Sequence, residues 1–177
     1  MRVVAGIARG RRLVAPKGDR TRPTSDFVRE AIFNSLQSHV DLRDATVLDL
    51  FAGTGALGIE ALSRGAAAAT FVDHDRLAVA AVRANLVATG FTSRATVLQV
   101  DATRPATALP AVDVAFVDPP YAFSDDDWRT LLTRVDAGVL VVESDREVDP
   151  GEPWRVLKSK KYGTTVVTLA ATPRSSP

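Results

Sequence analysis

The sequence has no cysteine, only two histidines (His39 and His74), and no apolar run long enough for a membrane-spanning helix. The first absence excludes disulfides, thiolate metal ligation and a cysteine nucleophile, and it suits a reducing cytosol. Two histidines are too few for a convincing metal site, so no metal is expected. The opening MRVVAGIARGRR lacks the apolar core of a signal peptide. A cytoplasmic protein without membrane association is therefore expected. Lysine is scarce as well, 4 residues against 18 arginines. No repeat or low-complexity tract interrupts the chain, apart from a Pro/Ser end expected to be disordered over residues 172–177.

What is present suits one domain. With 177 residues, 46% hydrophobic and 24% charged, the chain can bury a full core but is too short for two comfortable ones. A net charge of +1 hides an asymmetry. Residues 1–22 carry seven basic side chains against Asp19, residues 154–177 carry five and no acid, and residues 23–153 are net −10. Basic ends on an acidic body fit a domain that binds a small molecule centrally and a polyanion at its edges. The arginine excess also has a bland source, a GC-rich coding bias.

Residues 2–15 read as two short strands around an Arg/Gly turn, a basic hairpin extension over 1–22. Thr24 or Ser25 then caps a helix in which Phe27, Ile32, Leu36 and Val40 recur at helical spacing. After Arg43, strands alternate with helices as far as GVLVVES. Several strands are apolar on both faces, which implies a parallel sheet covered by helices on each side. The regular alternation predicts a doubly wound α/β fold. The ending WRVLKSKKYG-TTVVTLA departs from it, with two strands joined by a Tyr-Gly turn. An antiparallel pair closing a mostly parallel seven-stranded sheet marks a Rossmann-like class I methyltransferase domain, here over 23–171, rather than a dinucleotide-binding one.

Strand ATVLDLF runs into Gly53-Thr54-Gly55-Ala56-Leu57-Gly58, a G-x-G-x-x-G that opens a helix, and Asp73 ends the next strand 20 residues after Gly53. By this pattern alone NAD would be the first guess. Asp49 argues otherwise, because a carboxylate just before the loop would repel a pyrophosphate. It suits instead a ligand with an ammonium group, such as the methionine end of S-adenosylmethionine. Asp101 in LQVDA closes a third strand, where it can accept from an adenine amino group. Acids at strand ends also serve as plain helix N-caps. Three in this order beside a glycine loop favour an adenosine with a cationic tail, with S-adenosylhomocysteine as product.

A further strand, VDVAFVD, ends in Asp118-Pro119-Pro120-Tyr121, at the carboxyl edge where open α/β sheets bind ligands. An aromatic amine is a poor nucleophile because its lone pair is delocalised into the ring. Asp118 can accept one N–H and the Pro119 carbonyl the other, drawing the nitrogen towards a tetrahedral shape and stabilising the charge that develops. Proline offers a carbonyl with no competing N–H, at a fixed φ. Tyr121, helped by Phe123, can present a face to the target base. A Pro-Pro turn with a packing tyrosine is the bland alternative.

These residues resemble a known family. Arg22-Pro23-Thr24, the helix SDFVREAIFN, DLFAGTGALGIEALSRGA, VDPPY and KSKKYGTTVVTL are similar, in order, to RsmD-type 16S rRNA guanine-N2 methyltransferases. The resemblance runs from about residue 2 to residue 170, and its most specific parts are RPT with its helix and KYG. It implies modification of one guanine in 16S rRNA, within an assembled or partly assembled small ribosomal subunit; a monomer is expected, although the residues leave the oligomeric state open. Carried over by position, Asp49, Phe51, Gly53, Thr54 and Gly55 line the methionine side of S-adenosylmethionine. Asp73 takes the ribose, and His74, Asp101 and Ala102 lie by the adenine. Asp118, Pro119, Pro120 and Tyr121 hold the target amine. Arg22 and Thr24 sit in an entry motif, and RNA contacts fall to Arg9, Arg11, Arg12, Lys158, Lys160 and Lys161. A DNA or protein amino-methyltransferase would share the tetrapeptide, and a non-catalytic ribosome-assembly factor would share the fold.

Overall fold

The computed structural model describes residues 1–16, 25–120 and 122–173. Five strands, β1 (Thr46–Leu50), β2 (Ala68–Asp73), β3 (Ala95–Gln99), β4 (Val112–Val117) and β5 (Ala137–Ser144), run parallel. Two more, β6 (Arg155–Tyr162) and β7 (Thr165–Ala171), complete a seven-stranded sheet of order β3-β2-β1-β4-β5-β7-β6. Strand β7 pairs antiparallel with both β5 and β6. This is the expected fold. The central strands are buried along their length, every residue of β5 included. One cluster of apolar side chains lies on each face, one around Phe33, Phe71 and Phe116, the other around Trp128, Leu131 and Leu140.

Four helices supply the covers: α1 (Asp26–Leu36), α2 (Ala56–Ser63), α3 (Arg76–Thr89) and α4 (Asp125–Leu132). Their ends follow local chemistry. Ser25, not Thr24, caps α1 by accepting from the Val28 N–H, and Thr24 lies outside the described residues. Asp75 caps α3, which stops at Gly90 with φ +78°, a left-handed turn that glycine adopts without a Cβ penalty. Ser124 and Asp127 form a capping box on α4. The apolar face of α1 differs from the expected one. Val28, Ile32, Phe33 and Leu36 are buried, whereas Phe27 is 68% exposed.

The N-terminal segment forms a hairpin with a single antiparallel bridge, Arg2 to Arg12, in place of the two expected strands. Backbone bonds from Val3 to Arg11, Gly10 to Val3 and Leu13 to Met1 join its arms, and side chains of the main body hold the rest. The buried Glu60 carboxylate on α2 accepts from the Val4 and Ala5 N–H groups at 2.7 and 2.9 Å. Ser63 accepts from the Ala8 N–H and donates to the Ala5 carbonyl. A methyl group at Gly6, where φ is +80°, would lie 1.9 Å from the Ser63 carbonyl oxygen, so only glycine passes there. Val3, Ala8 and Leu13 join the same core cluster as Phe33. The hairpin is thus packed into the domain. At the other end, Thr172 still bonds Ala137 and Gly138, inside the stretch expected to be a loose tail.

Candidate active site

Strands β1 and β4 are neighbours, paired from Val47 with Val114 to Leu50 with Val117. From β1 the chain moves outward to β2 and β3, then returns to β4 and continues to β5 on the other side. Loops leaving β1 and β4 therefore diverge, and the crevice between them is the topological switch point where such sheets bind ligands. The glycine loop follows β1, and Asp118-Pro119-Pro120 follows β4. The Asp118 N–H reaches the Leu50 carbonyl at 3.5 Å, so the two loops leave the sheet side by side.

Chain direction changes sharply after β1. Phe51 has φ +59°, a left-handed conformation rare for a residue with a bulky side chain. Gly53 and Gly55 continue the turn at φ +53° and +75°. Such backbone concentrates at ligand sites, where the surrounding fold holds it in place. The Phe51 ring meets Phe123 edge-on at 5.4 Å, and Phe123 meets Trp128 likewise. This aromatic chain joins the loop after β1 to the loop after β4.

Gly55 opens α2 without a side chain to cap it. Asp49, buried within β1, supplies the missing acceptor by taking the Gly58 N–H at 2.9 Å. Gly58 allows this approach: a methyl group there would lie 2.4 Å from the Phe71 ring. Burial pushes the Asp49 carboxyl up to about 7, opposed by the Gly58 hydrogen bond and assisted by the nearby charge of Asp73. A cationic ligand group beside it would favour the ionised form.

Asp73 is not a helix cap; Asp75 has that duty. Its oxygens accept from the Gly53 and Asp75 N–H groups, both at 2.9 Å, which ties the glycine loop to the end of β2. Each carboxylate oxygen keeps a further lone pair, as a pair of ribose hydroxyls requires. Asp101 lies two residues beyond β3, partly exposed. One of its oxygens closes a turn onto the Thr103 N–H and hydroxyl, which holds its carboxyl below the usual range. The plain capping role therefore claims half of Asp101, and its other oxygen lies 3.8 Å from Arg104. Ala102 is buried, whereas the His74 side chain is 67% exposed. Asp49, Gly53, Gly55 and Asp73 thus converge, with His74 beside Asp73 at the end of β2 and Asp101 beyond the next strand, β3. This donor set fits an adenosine with a cationic tail.

Asp118 is half-buried, Pro119 buried and Pro120 exposed. Tyr121, Arg22 and Thr24 lie outside the described residues. Arg9, Arg11, Arg12, Lys158, Lys160 and Lys161 are all exposed, the first three on the hairpin and the rest on the edge strand β6. Among the described residues no cluster of three or more His, Asp or Glu side chains could hold a metal.

Three further residues hold the site together and carry no motif. Asn85 on α3, buried, accepts from the Val14 N–H and donates to the Val14 and Thr54 carbonyls at 2.8–2.9 Å. It fastens the hairpin's return and the glycine loop to one side chain. Arg134 donates to the carbonyls of Ala102, Thr103 and Thr107, fixing the loop after β3. Arg146 donates to the Phe123 carbonyl and to Asp125, bracing the loop after Pro120. Asn85 is paired with positions 71 and 31 residues away, and no local pattern announces it.

A family model described as conserved hypothetical protein 95 matches residues 1–171. The ribosomal RNA small subunit methyltransferase D of Escherichia coli K12 is 36% identical, covering 96% of this chain and 88% of that one. Its namesake in Haemophilus influenzae is 33% identical, covering 92% and 89%. The solved structure of yhhF from Escherichia coli superposes with a TM-score of 0.82 at 34% identity over 97% of each chain. A Salinibacter ruber RNA methyltransferase solved with S-adenosyl-L-homocysteine matches with a TM-score of 0.68, over 88% of this chain and 97% of that one. At 18% identity it shows the shared fold alone. The match over nearly the whole chain, with the glycine loop and the Asp-Pro-Pro turn on adjacent strands, places this protein in the conserved hypothetical protein 95 family, the RsmD-type family.

Proposed function

We propose that this protein transfers a methyl group from S-adenosylmethionine to the exocyclic N2 amino group of a guanine in 16S rRNA, within the small ribosomal subunit. The observation that carries the reading is the juxtaposition of the glycine loop and Asp118-Pro119 on adjacent strands at the switch point. Family relatives named as small-subunit rRNA methyltransferases support the substrate class. The exposed basic residues of the hairpin and of β6 suit RNA phosphates. We further propose that it acts as a monomer in the cytoplasm. No helix among the described residues is long and apolar enough to cross a membrane.

When bound, S-adenosylmethionine supplies a methyl group on a positively charged sulfur. Asp49 and the turn through Gly53 and Gly55 face its methionine end, and Asp73 takes the ribose. Asp101 offers its outer oxygen to the adenine, with Ala102 and His74 beside it. Asp118 accepts one N–H of the target amine and the Pro119 carbonyl the other, localising the nitrogen lone pair. Pro120 follows in the same turn, and to Tyr121, with Phe123, we assign the ring surface that meets the base. To Arg22 and Thr24, from the RPT motif, we assign a contact with substrate or cofactor. An unpaired base has to be turned out of its stack to reach such a pocket.

The test is transfer of labelled methyl to small subunits lacking their modifications, followed by nucleoside analysis. Wild-type protein yields N2-methylguanosine. Asp118→Ala loses about 10²–10³-fold in rate while binding S-adenosylmethionine nearly as before. Label on adenine, cytosine or protein would overturn the substrate, and cofactor binding without any transfer would indicate an assembly factor.

A further inference from the structure

Phe27 is, among the phenylalanine, tyrosine and tryptophan rings of the described residues, the one that is mostly exposed. One exposed apolar side chain is ordinary on a protein surface, and what distinguishes this ring is its neighbours. The ring is held in place. It meets Tyr162 edge-on, with centroids 6.1 Å apart and planes at 76°. Tyr162 is half-buried against the core and carries the Lys160 ammonium 5.2 Å from its ring centre.

The strand beneath is unusual in the same direction. Every residue of β6 from Arg155 to Lys161 is exposed, on both faces, at the free edge of the sheet. Alternation puts Lys158, Lys160 and Tyr162 on one face of the strand and Lys161 on the other. The strand carries Arg155, Lys158, Lys160 and Lys161 and no acid. On α1, the neighbouring Asp26 is already paired with Arg29 and Arg2.

The location ties this surface to the reaction. Ser144 pairs with Val166, so the turn from Tyr162 to Thr165 stands beyond the carboxyl end of β5, on the edge that holds Asp118. Strand β6 is three positions from β4 in the sheet, about 14 Å at the usual strand spacing. That is a few nucleotides along a strand whose target base occupies the Asp118 pocket.

We propose that Phe27 and Tyr162, with Lys158 and Lys160 alongside, form a stacking platform for an unpaired RNA base flanking the methylated nucleotide. The proposal rests on the rRNA reading above and extends it to residues with no part in the chemistry. Unpaired bases stack on aromatic faces, and the adjoining cations take the phosphates on either side. Cations without acids on β6 favour a polyanion over an apolar protein partner. The platform fixes which nucleotide reaches Asp118 by holding its neighbour.

The experiment compares Phe27→Ala, Phe27→Leu and Phe27→Trp in methyl transfer to undermodified small subunits and in binding to an rRNA loop oligonucleotide. Thermal melting and S-adenosylmethionine affinity are measured alongside. Phe27→Ala and Phe27→Leu are expected to raise the KM for RNA about tenfold, with cofactor affinity and melting unchanged. Phe27→Trp should restore RNA affinity, and its new fluorescence should be quenched by the oligonucleotide; the native Trp128 and Trp154 are buried and report separately. Equal activity of Phe27→Leu and wild type would overturn the platform, because leucine keeps the apolar contact without the ring. Full activity of all three variants would overturn it too, while leaving the rRNA reading intact. Wild type that methylates no RNA would overturn that reading, and the platform with it.

Discussion

The hairpin at the N-terminus and the hairpin made by β6 and β7 both present basic side chains to solvent, but they are held by different bonds. Strand β6 is secured through its backbone, by a ladder with β7 from Arg155–Ala171 to Tyr162–Thr165. Its side chains are exposed apart from Tyr162, which packs against the core. The N-terminal hairpin has only a few backbone bonds between its arms and is fastened to the domain mainly by buried side chains: Glu60, Ser63, Asn85 and Arg29. A surface whose backbone holds the fold can spend its side chains on a ligand. A surface latched by its neighbours' side chains depends on residues far away in sequence, and it transmits their positions.

Asn85 gives that transmission a concrete form. The side chain that closes the end of the hairpin also holds the Thr54 carbonyl of the glycine loop. Glu60 is the hub of the other latch. It accepts from Val4, Ala5 and Arg64, and the fully buried Arg29 guanidinium lies 3.8 Å away.

The comparison breaks most severely at Glu60. Glu60→Ala strips two backbone N–H groups of their acceptor and leaves buried arginine charge behind, at a cost of about 3–5 kcal/mol. Equilibrium unfolding in urea should show that loss, together with proteolytic cleavage inside residues 1–14. A loss below 1 kcal/mol would show that apolar packing of Val3, Ala8 and Leu13 holds the hairpin alone. Next is Asn85→Ala, which exposes unmet polar groups of Val14 and Thr54 and should cost about 1–3 kcal/mol. It should also weaken S-adenosylmethionine binding, measured by calorimetry, because the glycine loop loses its tie. Unchanged cofactor affinity would confine Asn85 to the hairpin. Smallest in stability is the replacement of Lys158, Lys160 and Lys161 by alanine, expected within about 0.5 kcal/mol of wild type. In RNA binding the same variant should reduce the slope of log affinity against log salt by about 2. An unchanged slope would leave the hairpin arginines as the whole phosphate contact.

The readable parts of the site are those whose chemistry is local. A glycine that turns the chain, an acid in the strand before it and a proline after the next acid are all neighbours in sequence: Asp49 lies in β1, Gly53 and Gly55 turn the chain after it, Asp73 ends β2 and Asp118 follows β4. Asp101 is a mixed case, since Thr103 offers it a local turn as well as a place by the ligand. Phe27 fits the helical spacing of a core residue yet faces water, because periodicity marks a face of the helix without showing where the neighbouring sheet ends. The two strands expected at the N-terminus rest on residue type alone. Glu60, Ser63 and Asn85 offer the backbone other partners 55 to 71 residues away, and Val4, Ala5, Ala8 and Val14 take those instead of a regular ladder.

Sequence alone determined the order of strands and helices, the glycine loop, the acids at the strand ends and the Asp-Pro-Pro turn, because each depends on alternation, caps and turns within a few residues. Tertiary structure decided what those parts are fastened to. It set β1 beside β4 so that two loops share one crevice, turned Asp49 into the missing cap of α2, and gave Asn85 both a hairpin and the glycine loop to hold. Such pairings join residues distant in the chain, and a buried polar group takes the partner that the finished fold brings within reach.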